Sequence, residues 1–152
     1  DRFESRGLGD VYKRQNMLVL AADTVVSIGR RILPKTETRD AAHDCLTALS
    51  GRGHRVSTGV CLFAEGACVA KRLVTSRVRM KTLDAHDIET YLASGEWRGK
   101  AGGYAIQGKA ARFVTRIVGS YSAIVGLPVF ETVAMLSGVG FTVTEDGEDN
   151  GS

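Results

Sequence analysis

The opening third of the chain alternates between short apolar runs and single polar residues, a pattern that predicts strands. Residues 17–22 form an apolar run typical of a buried strand, and Asp23 lies at its end. Extended backbone is expected to continue through residues 25–28, and Gly29 predicts a turn. Residues 31–33 then form a second short strand, which the following proline ends.

A helical spacing of apolar residues replaces this pattern after residue 37. Thr38 is a suitable helix N-cap, and Asp40 places an acidic side chain in the first turn. The apolar residues that follow fall on one helix face: Ala41, Ala42, Cys45, Leu46 and Leu49. A Ser-Gly pair at residues 50–51 predicts the end of this helix.

Two long strands are predicted in the middle of the chain, at residues 55–64 and 67–80, joined by a tight Glu-Gly turn. In the second strand the residues of one parity include polar and apolar types, so the alternation is imperfect. Asp84 can then cap a second helix whose apolar face ends near a Ser-Gly pair at residues 94–95.

The last part of the chain begins with a glycine-rich stretch at residues 99–108. Residues 113–118 predict a strand, Pro128 predicts the start of a helix, and residues 138–143 predict a final short strand. The order of strand pairs and helices favours an α/β domain on the border with α+β. We expect a single domain in which helices flank a long, mixed and curved sheet.

Composition agrees with one domain, because the chain has 152 residues of which 43% are hydrophobic. Residues 1–15 show neither helical nor strand periodicity, and we interpret them as a non-native or disordered leader. The acidic residues 145–152 predict a disordered tail. The domain itself is therefore expected to span residues 16–144.

Charge and cysteine content narrow the function classes. The net charge of +3 comes without any block of like charges, which suits a phosphate-bearing small molecule better than nucleic acid. The three cysteines lack CxxC spacing, so they predict buried thiols rather than a disulfide framework or a zinc site. The apolar run at residues 17–22 is far too short to cross a membrane, and we expect a cytoplasmic protein with no membrane partner.

Four side chains have the chemistry that phosphate and base recognition would need. Asp23 could hold a divalent cation or orient a water, Lys35 and Lys100 could neutralise phosphate oxygens, and Gln107 could read the edge of a base. Each residue taken alone has a more common role, namely that of a turn-capping carboxylate, a solvated lysine or a structural amide.

Three further features have structural roles that we favour. The glycine pair at residues 102–103 is more often a plain turn than a phosphate cradle, and the sequence contains no Walker A or GxGxxG pattern. Trp97 is expected to pack under the glycine loop rather than to stack on a ligand. The three histidines lack metal-ligand spacing and are interpreted as surface or turn residues.

Taken together and in order, several segments resemble the Maf family of nucleoside triphosphate pyrophosphatases. They are residues 22–26 (Ala-Asp-Thr-Val-Val), 32–35 (Ile-Leu-Pro-Lys), 49–60, 96–108 (Glu-Trp-Arg-Gly-Lys-Ala-Gly-Gly-Tyr-Ala-Ile-Gln-Gly), 119–122 and 125–128. The resemblance extends over about residues 18–141 and implies a Maf/ITPase-like fold. Residues 104–108 are similar to the subgroup that acts on dTTP and UTP, including modified pyrimidine nucleotides.

The resemblance implies hydrolysis between the α and β phosphates, giving a monophosphate and pyrophosphate, with Mg²⁺ or Mn²⁺ as the cofactor. It implies that Asp23 is the proton acceptor or the metal-linked carboxylate and that Lys35 lies on the phosphate side. Thr24 and Gln107 match positions linked to substrate choice, and Lys100 is of the type that binds phosphates. It implies a nucleotide as the partner, no nucleic acid, and leaves a homodimer open.

Two departures from the family pattern keep a second hypothesis open. The family usually opens with a strand and a phosphate-binding Ser-x-Ser-Pro-Arg-Arg loop, and this sequence shows no counterpart to either. The family lysine is normally followed by proline, whereas here Pro34 precedes Lys35. The alternative is therefore a catalytically inactive module that binds nucleotide or a protein partner, resembling a septum-formation inhibitor.

Overall fold

The computed structural model describes residues 17–141 and the backbone of residues 3–4. The strands of this part are β1 (Phe3–Glu4), β2 (Leu18–Ile28), β3 (Arg31–Leu33), β4 (Gly53–Ala64), β5 (Ala67–Met80) and β6 (Val114–Val118). The helices are α1 (Arg39–Leu49), α2 (Ala85–Ser94), α3 (Tyr121–Val125) and α4 (Val129–Gly138), with a 3₁₀ turn at Lys109–Phe113.

These strands form one sheet in the order β1-β2-β4-β5-β6, and β3 pairs with β2. Helices flank the sheet, which confirms the predicted fold class. Every pairing between the described strands is antiparallel, so the expectation of a mixed sheet is wrong for this part of the chain. The turn accounts for the pairing of β4 with β5, because Glu65 (φ 52°) and Gly66 (φ 80°) close a two-residue hairpin, which only antiparallel strands can use.

Strand β2 is longer than the apolar run at residues 17–22 from which it was predicted. Its ladder with β4 runs without interruption from the pair Leu18–Ala64 to the pair Ser27–Arg55. Asp23 therefore lies in the middle of an 11-residue strand, opposite Gly59, and the expectation that it ends a strand is wrong. The run is also less buried than expected, since of residues 17–22 only Ala22 is fully buried.

Both predicted helix caps are present. The Thr38 hydroxyl accepts a hydrogen bond from the Ala41 amide at 3.1 Å. Asp84 accepts from the Asp87 amide at 2.7 Å while the Asp87 carboxylate accepts from the Asp84 amide, which completes a capping box. The local sequence therefore determines where α1 and α2 begin.

The main core lies between the sheet and helices α1 and α2, and a smaller cluster lies under α4. The largest wholly buried side chains of the main cluster include Tyr91, Phe113, Leu46 and Leu49. The small cluster contains Met135 from α4 together with residues of β2 and β4. In the described residues no helix is long and apolar enough to span a membrane.

Some expectations for the last part of the chain are not met. Phe113 belongs to the 3₁₀ turn and not to β6. Residue 138 ends α4 and residues 139–141 are not extended, so the expected strand at 138–143 is wrong as far as the structure describes it. The predicted leader, apart from the pairing of β1, and the predicted acidic tail lie outside the described residues.

The cysteines differ in their exposure. Cys45 is buried in the core, Cys61 is half-buried on β4 and Cys68 is exposed on β5. The prediction of buried thiols is confirmed for Cys45 and wrong for Cys68, because the first residues of β5 lie at the surface.

Candidate functional site

Two segments far apart in sequence are paired beside the sheet. The Thr36 amide donates to the Lys100 carbonyl at 3.1 Å, and the Gly99 amide donates to the Thr36 carbonyl at 2.8 Å. The buried Thr36 hydroxyl also donates to the Trp97 carbonyl at 2.6 Å. These bonds bring the segment that carries Lys35 against the segment that carries Lys100.

The glycine pair inside this junction is a turn. The Gly102 amide donates to the Pro34 carbonyl and the Gly103 amide to the Lys100 carbonyl, each at 3.0 Å. Both glycines have left-handed φ angles, 70° and 80°. Because both amides are already bonded within the protein, the pair does not offer them to a phosphate, and the expectation of a plain turn is confirmed.

Trp97 is buried beneath the same loop. Its indole nitrogen donates to the Leu92 carbonyl at 2.8 Å, and the Arg98 guanidinium lies 4.7 Å from the ring centre. The ring is therefore a packing and anchoring residue, as expected, and it is not available for stacking on a ligand.

Asp23 and Lys35 form an ion pair at the surface. The Lys35 Nζ lies 3.4 Å from the Asp23 Oδ1, and the Asp23 side chain keeps 62% of its exposure. The Thr24 amide also donates to Asp23 Oδ1, at 3.1 Å. Asp23 lies in β2 and Lys35 follows β3, so the antiparallel pairing of these two strands brings the two residues close together.

A cleft of about 470 Å³, part of it open to solvent, lies next to this ion pair. Its polar lining comes from three predicted residues, Thr24, Lys100 and Gln107, with Tyr104 beside them. Gln107 is exposed and Lys100 is half-buried, so both can reach a bound molecule. The remaining lining is apolar and includes Val26, Val56, Ile106 and Ile124.

Strand alternation separates Asp23 from Thr24. Thr24 lines the cleft, whereas Asp23, its neighbour in β2, is more exposed and is not among the lining residues. The structure thus brings Asp23 to Lys35, and separately brings Thr24, Lys100 and Gln107 to one cleft.

A chain of hydroxyl groups holds Thr24 in place. The Thr24 and Thr58 hydroxyls lie 2.9 Å apart, and the buried Thr58 hydroxyl donates to the Ala123 carbonyl at 2.6 Å. Sequence reasoning did not identify Thr58. The register of β2 against β4 is the signal that reveals it, since it places Thr24 directly opposite Thr58.

His54 and Tyr104 form a buried pair behind the cleft. The His54 Nε2 and the Tyr104 hydroxyl are 2.6 Å apart, and the rings meet edge to face. The expectation of a surface or turn histidine is wrong for His54, which is only 3% exposed. Burial lowers the pKa of His54 from 6.5 to about 4 and raises the pKa of Tyr104.

This burial predicts a loss of stability in weak acid. Since the pKa of His54 is about 4 in the folded protein and 6.5 when unfolded, only the unfolded state takes up a proton as the pH falls below 6.5. The contribution of neutral His54 to the free energy of unfolding is therefore present above pH 6.5 and is lost as the pH falls towards 4. We expect the free energy of unfolding, measured with urea, to fall by about 2 kcal/mol between about pH 6.5 and about pH 5.

Two variants separate this effect from general acid sensitivity. His54→Gln keeps an amide that can bond to the Tyr104 hydroxyl but cannot titrate, so its loss over the same pH range should be much smaller. His43→Gln changes an exposed histidine and should retain the full loss. Equal losses in the native chain and in His54→Gln would contradict the assignment to His54.

Metal-binding capacity at the site rests on one carboxylate. In residues 17–141 no group of three or more His, Cys, Asp or Glu side chains could hold a metal ion. Asp23 is exposed and uses one oxygen for both of its hydrogen bonds. It fits a magnesium ion of the kind that takes a single protein carboxylate and completes its shell with water and substrate phosphates.

Comparison with known proteins identifies the family. The model of the family described as Maf-like protein matches residues 5–139. A dTTP/UTP pyrophosphatase from Mesorhizobium japonicum is 63% identical over 125 residues, which is 82% of this chain and 60% of the relative. One from a Chelativorans species is 57% identical over 129 residues, 85% of this chain and 62% of the relative.

A dTTP/UTP pyrophosphatase from Rhodopseudomonas palustris is 58% identical over 125 residues, 82% of this chain and 60% of the relative. The chain thus spans about 60% of the length of the curated relatives that it matches. The order of the motifs, the antiparallel sheet with flanking helices and the match over residues 5–139 agree with one another. This chain belongs to the Maf-like protein family.

Proposed function

We propose that this protein is a nucleoside triphosphate pyrophosphatase acting on dTTP, UTP and modified pyrimidine nucleotides. The observation that carries the proposal is that Thr24, Lys100 and Gln107, from separate segments, line one cleft. The ion pair of Asp23, the neighbour of Thr24 in the chain, with Lys35 supports it. The names of the relatives, dTTP/UTP pyrophosphatases, support the choice of substrate.

The chemistry of the side chains suggests which residues bind the phosphates and which bind the base. The ammonium groups of Lys35 and Lys100 come from the two paired segments, and both suit the negative charge of a triphosphate. Gln107 has a donor and an acceptor in one planar group, which is what the edge of a pyrimidine requires. Thr24, held by Thr58, lines the same cleft as Lys100 and Gln107.

Asp23 is the group proposed to handle the proton. Its carboxylate can accept a proton from a water that attacks the α phosphate, and the ammonium of Lys35, 3.4 Å away, stabilises the negative charge near it. Pyrophosphate then leaves as the P–O bond between the α and β phosphates breaks. When Mg²⁺ or Mn²⁺ is bound, it supplies neutralisation of the phosphate charge, and Asp23 would hold it.

The experiment combines turnover with binding. We expect the 152-residue chain with Mg²⁺ to release pyrophosphate from dTTP and UTP faster than from ATP or GTP, measured with a coupled pyrophosphate assay. In parallel, UTP is titrated by calorimetry. Binding together with pyrophosphate release supports the enzyme, and the absence of both contradicts the proposed function.

A second candidate is a module that binds nucleotide or a protein partner without turnover. The exposed apolar side chains of α4 favour it, because Phe130 is 80% exposed and Val129 is 53% exposed. Binding of UTP with no pyrophosphate release would select this candidate. If the protein forms a homodimer, we propose that the exposed apolar side chains of α4 form the interface. We propose a cytoplasmic location for either function.

A further inference from the structure

Three adjacent strands of the sheet carry basic side chains and no acidic ones. Across β4, β5 and β6 the basic residues are Arg55, Lys71, Arg72, Arg77, Arg79 and Arg116. These residues are dispersed along the sequence, but they lie on neighbouring strands of the sheet. This concentration is a property of the fold that the net charge of +3 does not reveal.

The strand register places like charges directly opposite each other. Arg55 pairs with Arg77 across β4 and β5, and Arg79 pairs with Arg116 across β5 and β6. Directly opposed residues point to the same face of a sheet, and like charges in such positions destabilise it. Two adjacent pairs of this kind therefore form a cluster of four guanidinium groups on one face.

Protein groups do not neutralise this cluster within residues 17–141. The ion pairs there join Asp23, Glu89 and Asp87 to other basic residues. Arg55 donates to the Gly29 carbonyl at 2.5 Å, which leaves its charge uncompensated. A bound anion would relieve the repulsion that the register imposes.

A groove of about 650 Å³, part of it open to solvent, lies at the cluster, and its lining includes Arg77, Arg79, Arg116 and Val118. It has no lining residue in common with the cleft that contains Gln107. Alternation in β5 exposes Arg77 and Arg79 while Val78 between them is buried. The groove is thus distinct from the cleft, although His54 in its lining is hydrogen-bonded to Tyr104 in the lining of the cleft.

We propose that this groove binds a compact polyphosphate anion, such as pyrophosphate or the triphosphate chain of a nucleotide. Each guanidinium can donate two parallel hydrogen bonds to phosphate oxygens. Arg77 and Arg79 are two residues apart on one strand, about 6.6–6.8 Å, so they can hold neighbouring phosphoryl groups from one side. Arg116 approaches from the next strand.

The lining favours a small anion over nucleic acid. No Phe, Tyr or Trp side chain lines the groove, and the stacking platforms that single-stranded nucleic acid uses are therefore missing from it. The cluster is also short, since β6 has only five residues. A duplex would need a longer basic track.

The test is an NMR titration of the full chain with inorganic pyrophosphate, following the backbone amides of β5 and β6. We expect saturable shifts in these amides, with binding weakened at least about tenfold in the double variant Arg79→Gln/Arg116→Gln. Arg72→Gln is the matched control, since it removes the same charge from β5 outside the groove and should leave binding unchanged.

Three further measurements distinguish the groove from the substrate cleft and from a nucleic-acid surface. Lys100→Gln alters the cleft and should leave the β5 and β6 shifts intact, so the groove is tested independently of the proposed enzyme. Without pyrophosphate the double variant should melt no lower than the native chain, because a like-charge pair is gone. Absence of saturable shifts, equal weakening in Arg72→Gln, or tighter binding of a short DNA duplex would overturn the proposal.

Discussion

Replacing Asp23 with asparagine is expected to lower the rate of pyrophosphate release from UTP by about 10²–10⁴-fold. Asparagine keeps the size of the side chain but cannot accept the proton that the proposed reaction removes from water. The change should lower kcat and leave KM nearly unaltered, because the proposed contacts with the nucleobase and the phosphates belong to other residues. Steady-state kinetics with Mg²⁺ at neutral pH provide the measurement.

The fold should survive this change. The Asp23 side chain is 62% exposed, and an exposed ion pair such as that with Lys35 contributes at most about 1 kcal/mol. Asp44→Asn is the matched control, since it makes the same change at an exposed position on α1. An unchanged rate in Asp23→Asn, or an equal fall in Asp44→Asn, would rule out the assigned role.

Replacing Gly102 with alanine is expected to lower the free energy of unfolding by about 2–5 kcal/mol. Two costs add. The φ angle of 70° is strained for any residue with a Cβ atom, and that Cβ would lie 2.8 Å from Val26 Cγ1. Urea unfolding of the variant and the native chain measures the difference.

Gly66 separates the two costs. Its φ angle is 80°, but a Cβ there would meet nothing within 4 Å, so Gly66→Ala should lose only about 1–2 kcal/mol. The double variant Gly102→Ala/Val26→Ala relieves the clash and should lose less than the sum of the two single changes. Equal losses at Gly102 and Gly66, or strict additivity, would contradict a tight contact at Val26.

The same contact connects stability to the cleft. Val26 lies in the lining, and Gly102 can approach it only because the turn at residues 102–103 is bonded to Pro34 and Lys100. A side chain at Gly102 would push Val26 towards the cleft or the loop away from it. The glycine is therefore required for packing beside the site, and not for phosphate binding.

Local chemistry accounts for the elements that the sequence could predict. Thr38 and Asp84 cap the two main helices because a side-chain oxygen can reach an amide two or three residues on, which depends on neighbouring residues alone. The turn at Glu65 and Gly66 is likewise a local signal. The two long strands and both helices were predictable for these reasons.

Long-range pairing accounts for the errors. Asp23 continues a strand instead of ending one because β4, more than 30 positions later, provides a ladder for the whole of β2. The prediction of a surface position for His54 is wrong because its strand faces Tyr104, with which it shares a buried hydrogen bond. No feature of the sequence within a few residues of Asp23 or His54 predicts the pairing with β4 or the hydrogen bond to Tyr104.

The sequence by itself determined the family, through ordered motifs, and the positions of the main helices and strands, through caps, turns and periodicity. It also named Asp23, Lys35, Thr24, Lys100 and Gln107 as candidates. The tertiary structure alone decided that Lys35 reaches Asp23, that the other three residues line one cleft, and that four dispersed arginines share one face. The physical reason is that these contacts depend on strand register and on the pairing of residues 34–36 with 99–102. Both join parts of the chain that are far apart in sequence, so no local pattern predicts them.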